Sequence, residues 1–163
     1  MKIKVIYILT LIILALATNA CYTDDTCRKD RGVEMGMNFY LDSINRQNNR
    51  LTFVKLTIDS LWIQGIGSDS IIYNNKKLVN SVKLPLNYFE EESQFRMVFN
   101  TITDTITIKH RNADHYISLE CGYIRTFEID TVFTTGNFID SIAIPNPSVN
   151  TLYVENIQLY HHK

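Results

Sequence analysis

From Gly32 onward the chain alternates apolar and polar residues with a period of two rather than a helical one. In GVEMGMNFYL, Val33, Met35, Met37, Phe39 and Leu41 point one way while Glu34, Asn38 and Tyr40 point the other. Successive side chains of a strand face opposite sides of a sheet, so this period marks strands with one face in a core. LTFVKLTI sets Val54, Leu56 and Ile58 on a common face, and QFRMVFN alternates through Phe95, Met97 and Phe99. In VKLPL, Val82, Leu84 and Leu86 alternate until Pro85, which has no N–H to give a ladder and so predicts an edge or a strand end. SIIYNNKKLV reads as strand, Asn-Asn turn and strand, with Lys76 and Lys77 suited to blunting a sheet edge. DTITIKH and HYISLECGYIRTFEI read as two strands joined by the turn Arg111-Asn112-Ala113-Asp114. DSIAI, the turn PNPSV and LYVENIQLY complete the series, and Phe89 to Ser93, with its three glutamates, is the one candidate for a helical turn. Turn residues recur roughly every 8 to 15 positions, which predicts a single antiparallel β-sandwich of about seven to nine strands.

The amino terminus has a different pattern. MKIK is a short basic segment, and Val5 to Ala17 is apolar apart from Thr10. That length fits the apolar region of a signal peptide and falls short of the ~20 residues a membrane-crossing helix needs. The predicted division is a lipoprotein signal peptide over 1–20, a lipidated tether over 21–31 and the β-sandwich over 32–163. Removing Lys2 and Lys4 from 16 Lys+Arg leaves 14 against 17 Asp+Glu, or −3. A mildly acidic body has no basic face for nucleic acid, so none is expected as a partner.

Three cysteines in an exported chain leave one thiol over. Cys21 directly follows the small-residue stretch Ala17-Thr18-Asn19-Ala20, the pattern of a bacterial lipoprotein, although Thr18 and Asn19 stand where a lipobox prefers Leu and a small residue. Lipidation at Cys21 anchors the protein to a membrane; the alternative is plain secretion with cleavage near Ala20. Several acyl chains at ~0.8 kcal/mol per buried methylene hold a protein to a bilayer durably. Cys27 and Cys121 then remain, and thiols in an oxidising compartment normally pair. A loop of 94 positions (121 minus 27) closed this way stabilises by about 4.6 kcal/mol in the chain-entropy treatment. The alternative is two free buried thiols. The acidic pair Asp24-Asp25 fits either a surface-export signal or a solvated linker.

The body carries no G-x-S-x-G elbow, no H-E-x-x-H helix, no phosphate-binding glycine loop and no dense calcium loop. No catalytic residue, metal or cofactor is therefore assigned. His110 and His115 flank the predicted turn and would face each other across a hairpin, half of a zinc site with Asp114 nearby. His161 and His162 read as a polar end. Asp69, Asp104, Asp114, Asp130 and Asp140 are scattered as turn residues are. Glu90-Glu91-Glu92 is the one candidate carboxylate cluster for a hydrolase, and a solvated loop is the plainer reading. Trp62 is expected in the core, with an exposed sugar-stacking platform as the alternative, and Tyr116, Tyr123, Tyr153 and Tyr160 fit cross-strand packing.

LPLN, TDTITIKH, ISLECGY and NFIDSIAIPN, with the early TCRKD, resemble a family of uncharacterised Bacteroidetes lipoproteins over the whole mature chain. The resemblance implies a lipid anchor, an extracytoplasmic β-rich domain and the Cys27–Cys121 pair, and it brings no activity. The function expected is that of a non-enzymatic envelope accessory or protein-interaction module. It would be anchored at Cys21 to the outer membrane, facing the periplasm or the cell surface. A glycan- or small-ligand-binding module is the alternative, and a hydrolase a more distant one.

Overall fold

The structure, a computed structural model, describes residues 32–45, 50–119 and 121–162. The readings of the signal peptide, Cys21 and Cys27 lie outside the described residues. Every regular element among the described residues is a strand: β1 (Glu34–Asn45), β2 (Arg50–Lys55), β3 (Ile58–Gly65), β4 (Ile71–Val79), β5 (Ser81–Pro85), β6 (Glu92–Phe99), β7 (Ile102–Ser118), β8 (Gly122–Thr134), β9 (Ser141–Ala143), β10 (Ser148–Val149) and β11 (Glu155–His162). The fold is all-β. Residues 88 to 91 form a bend rather than the helical turn expected there.

The strands form two sheets. One has the order β2-β1-β11-β9, with β5 also paired to β1, and the other runs β10-β8-β7-β6-β3-β4. All pairs are antiparallel except β1 with β11, so the wholly antiparallel expectation is corrected at that one ladder. Eleven strands exceed the expected number for two reasons. β9 and β10 are only three and two residues long. LTFVKLTI, read as one run with Val54, Leu56 and Ile58 on a common face, divides at Leu56-Thr57, and the strands on either side join different sheets. Val54 is consequently exposed while Ile58 is buried, and the two do not share a core face.

Two of three further differences share a cause: residues with the composition of a turn lie inside continuous strands. Asn74-Asn75 does not turn the chain; Asn75 takes a left-handed φ of 47° inside an uninterrupted β4. Arg111 to Asp114 is not a turn either, because β7 runs for 17 residues through it. The hairpin instead reverses between Ser118 and Gly122, where Gly122 supplies a φ of 70°. Finally, Leu61 and Ile63 take the core face of β3, which turns Trp62 to the outer face, half-buried. The Pro85 and Lys76-Lys77 readings agree with the structure, since β5 ends at Pro85 and β4 is an edge strand.

Both sheets contribute to one hydrophobic cluster: Met35, Met37 and Phe39 from β1, Ile157 and Leu159 from β11, Phe95, Met97 and Phe99 from β6, and Ile106 and Ile108 from β7. Phe39 meets Phe99 edge to face at 5.6 Å, a direct contact between sheets. Asn156, 1% exposed, ties the layers with its polar atoms. Its Oδ1 accepts from the Gly36 N–H at 2.9 Å, and its Nδ2 donates to the carbonyls of Asn146 and Ser148. Gly36 is needed there, because a Cβ would lie 2.2 Å from the Val154 carbonyl oxygen.

Candidate functional site

The inward row of β7 reads Asp104, Ile106, Ile108, His110: two apolar residues between two buried polar ones, 0% and 1% exposed respectively. Each polar end organises a loop. Asp104 accepts hydrogen bonds from the Thr135 hydroxyl at 2.5 Å and from the backbone N–H groups of Asn137, Phe138 and Ile139 at 2.8, 2.7 and 2.9 Å. Burial pushes its carboxyl up, but the Thr135 hydroxyl and these three amides outweigh that and hold it below the ordinary carboxylate value. The anion is a clamp on the connection between β8 and β9.

At the other end, Asn112 Nδ2 donates to the Glu90 carbonyl at 3.1 Å, which leaves Asn112 Oδ1 as the acceptor for His110 Nδ1 at 2.8 Å. The proton therefore sits on Nδ1, and Nε2 accepts the Ser93 hydroxyl at 2.8 Å. Burial pushes the His110 imidazole below its ordinary value of 6.5, against the opposite pull of Asn112, so it is neutral at physiological pH. Ser, His and Asn in this order match the connectivity of a hydrolase triad. Here, though, the Ser93 oxygen also accepts the Asn87 N–H at 2.6 Å, and Ser93 is 4% exposed. Its lone pairs hold the loop rather than facing a substrate. The alternation of DTITIKH carried this signal, because it places Asp104 and His110 on the same face as the two isoleucines.

Past His110 and Phe127 the β7–β8 ribbon has no third strand among the described residues. This arm is laced by Asp114 with Arg125, two bonds of 2.6 Å, and by Tyr116 with Tyr123, ring centres 5.4 Å apart. The Arg125 hydrogen bonds hold the Asp114 carboxyl below its ordinary value. Arg125 also donates to the Tyr88 carbonyl and lies over the Tyr88 ring, 4.4 Å from its centre, which buttresses the arm's base. Beyond the base, Tyr116, Ile117, Leu119 and Tyr123 are exposed, Leu119 to 93%.

A second ribbon overhangs the fold where β1 outruns β11 at Asp42 and continues with β2 alone. β2 is an edge strand that buries nothing fully, yet it carries Leu51, Phe53 and Val54, with Ile44 beside them, all more than half exposed. The two ribbons leave opposite ends of the fold. Val33, at the start of β1, lines a cavity of about 480 Å³ with Tyr123, Arg125 and Phe127 at the arm. Phe39 meets Phe99, whose ladder partner Ile102 begins β7, sixteen positions from Ser118. β1 thus runs away from the arm toward its own hairpin.

The other predicted site residues scatter. His110 is buried and His115 exposed on the same strand, so the half zinc site does not form. No group of three or more metal-ligating side chains exists among the described residues. His161 and His162 are not a frayed end: both lie in β11, His161 Nδ1 meets the Phe138 carbonyl at 2.7 Å, and His162 pairs with Asp42. Glu90 and Glu92, without Glu91, line a separate cavity of about 480 Å³ with Ile66, Ser93 and Phe95. Trp62 lies beside Arg96, Val98 and Thr105 on the outer face of the second sheet, off the core. Of the tyrosines, Tyr160 joins Tyr40, Phe53 and Glu155 in a polar-aromatic cluster on the first sheet, where Glu155 accepts from Asn38 and Tyr40 at 2.7 Å. Tyr153 lies outside the strands, against Lys83. Cys121 is half-buried in the arm's reversal, its N–H on Ser118 Oγ.

Among known proteins, a sequence-family model described as a family of unknown function (DUF6452) matches residues 60–161. No curated protein and no solved structure matches the chain.

Proposed function

We infer a contact role for this chain, which belongs to a family of unknown function, DUF6452. It is proposed to be a Bacteroidetes lipoprotein: a β-sandwich exported by the signal peptide of residues 1–20, anchored to the outer membrane through Cys21 and closed by a Cys27–Cys121 disulfide. There it serves another envelope protein as a non-enzymatic accessory. Two sheets around one core support the sandwich. Val33 and Tyr123 lining one cavity supports the disulfide: Cys27 is six positions before Val33, a reach of roughly 20 Å, and Cys121 is two before Tyr123.

The observation that carries the contact role is β2. An edge strand offers unpaired N–H and C=O groups, and native edges are normally blunted by charge or short length. This one instead shows Leu51, Phe53 and Val54 to solvent at the end away from Val33, where the tether enters. Strand addition by a partner would bury both the ladder groups and the apolar side chains. A photo-crosslinking residue at Phe53, with one at Lys109 as control, tests this in intact cells. One dominant envelope protein captured from Phe53 and not from Lys109 is expected; scattered or absent products sink the contact role. A second reading, a small-ligand module, has the Glu90–Glu92 cavity in its favour, whose volume suits such ligands.

A further inference from the structure

We propose that the tip of the β7–β8 arm is a second membrane contact, laying Tyr116, Ile117, Leu119 and Tyr123 into the headgroup layer of the bilayer that holds Cys21. The inference rests on the lipid-anchor reading above.

Chain length limits where the arm can be. Twelve positions separate Cys21 from Val33, at most about 40 Å of extended chain, and Val33 sits at the arm's base. From Asn112 to Leu119 the arm projects seven residues, roughly 23 Å. A tip reaching the bilayer is therefore within the tether's span, and with Cys27 joined to Cys121 the tip is held within about 20 Å of the lipidated residue. The β1–β2 ribbon leaves the opposite end of the fold and has no such constraint.

The chemistry of the tip fits the interface. Tyrosine combines an apolar ring with a polar end and concentrates at headgroup depth, while Leu119 and Ile117 supply apolar area. Asp114 and Arg125 neutralise each other lower on the arm, which reduces the cost of bringing the arm to lipid.

Tryptophan fluorescence of the full acylated protein in phosphatidylethanolamine–phosphatidylglycerol vesicles containing brominated lipid tests the placement. Trp62→Phe removes the native signal; Leu119→Trp reports the arm, and Leu51→Trp the opposite end. A blue shift and severalfold stronger quenching for Leu119→Trp than for Leu51→Trp are expected. Tyr123→Trp, on the facing strand, gives the same readout should Leu119→Trp misfold. An acyl mass on Cys21 with no quenching of either arm probe overturns the arm contact alone, and so does equal quenching at both ends of the fold. A mature protein without acyl mass on Cys21 overturns the anchor reading and the arm contact with it.

Discussion

The two ends of β7 solve the same problem with different chemistry. At its start a charged carboxylate, Asp104, gathers four donors and pins the connection between β8 and β9. At the edge of the core a neutral imidazole, His110, passes one hydrogen bond to each side and pins the loop from Asn87 to Glu90. An anion gives the stronger bonds, because charge-assisted hydrogen bonds exceed neutral ones. A neutral histidine gives a joint that acid can charge. The end of the fold that bears the arm is thus the more responsive one.

The largest effect should come from Asp104→Ala, which removes a fully buried acceptor from three amides, that of buried Ile139 among them, and from a hydroxyl; about 4 kcal/mol of unfolding free energy is expected to be lost in denaturant titration. His110→Ala removes the partner of the Ser93 hydroxyl proton and of Asn112 Oδ1 beside Phe127 and should cost about 2 to 3 kcal/mol. Hydrogen exchange should then rise at the arm's base and not at Asn137 to Ile139; equal rises at both ends would break the comparison. Acid sharpens it further. His110 has a folded value below 6.5, so the unfolded chain takes up protons first, and stability complete above 6.5 declines as pH falls beneath it. Asp104 lies below 3.8 when folded, and its share persists until pH falls through the carboxylate range. Between about pH 6.5 and 5 the arm end alone should loosen, and His110→Gln should flatten that part of the melting-temperature profile. Smallest of all, Leu119→Ser and Leu51→Ser should each shift stability by less than about 0.5 kcal/mol, since both side chains already face water.

Sequence period located the strands wherever one face is packed, as in MGMNF and SQFRMVF, because burial writes the alternation directly. It failed where side chains compete for two uses. Arg111-Asn112-Ala113-Asp114 has a turn's composition, yet Asn112 is committed to His110 and Glu90, and Asp114 to Arg125. Neither is left to bond its own backbone, and the strand continues. Likewise Asn75 uses its tolerance of left-handed φ within a strand instead of between two. The buried pair Asp104 and His110 was visible in DTITIKH, but composition presented one as a turn residue and the other as a candidate ligand. The overhanging ribbons could not be read at all, because their extent depends on where neighbouring strands stop.

The parallel ladder between β1 and β11 bears on the order of assembly. Gly36 bonds Asn156 across 120 positions, so the first sheet cannot close until nearly the whole chain is available. A chain delivered amino terminus first would present β1 with one side unpaired until β11 arrives. Such distant pairings make folding slow. An early-emerging, half-paired strand of Met35, Met37 and Phe39 is a natural substrate for a holdase chaperone during that wait.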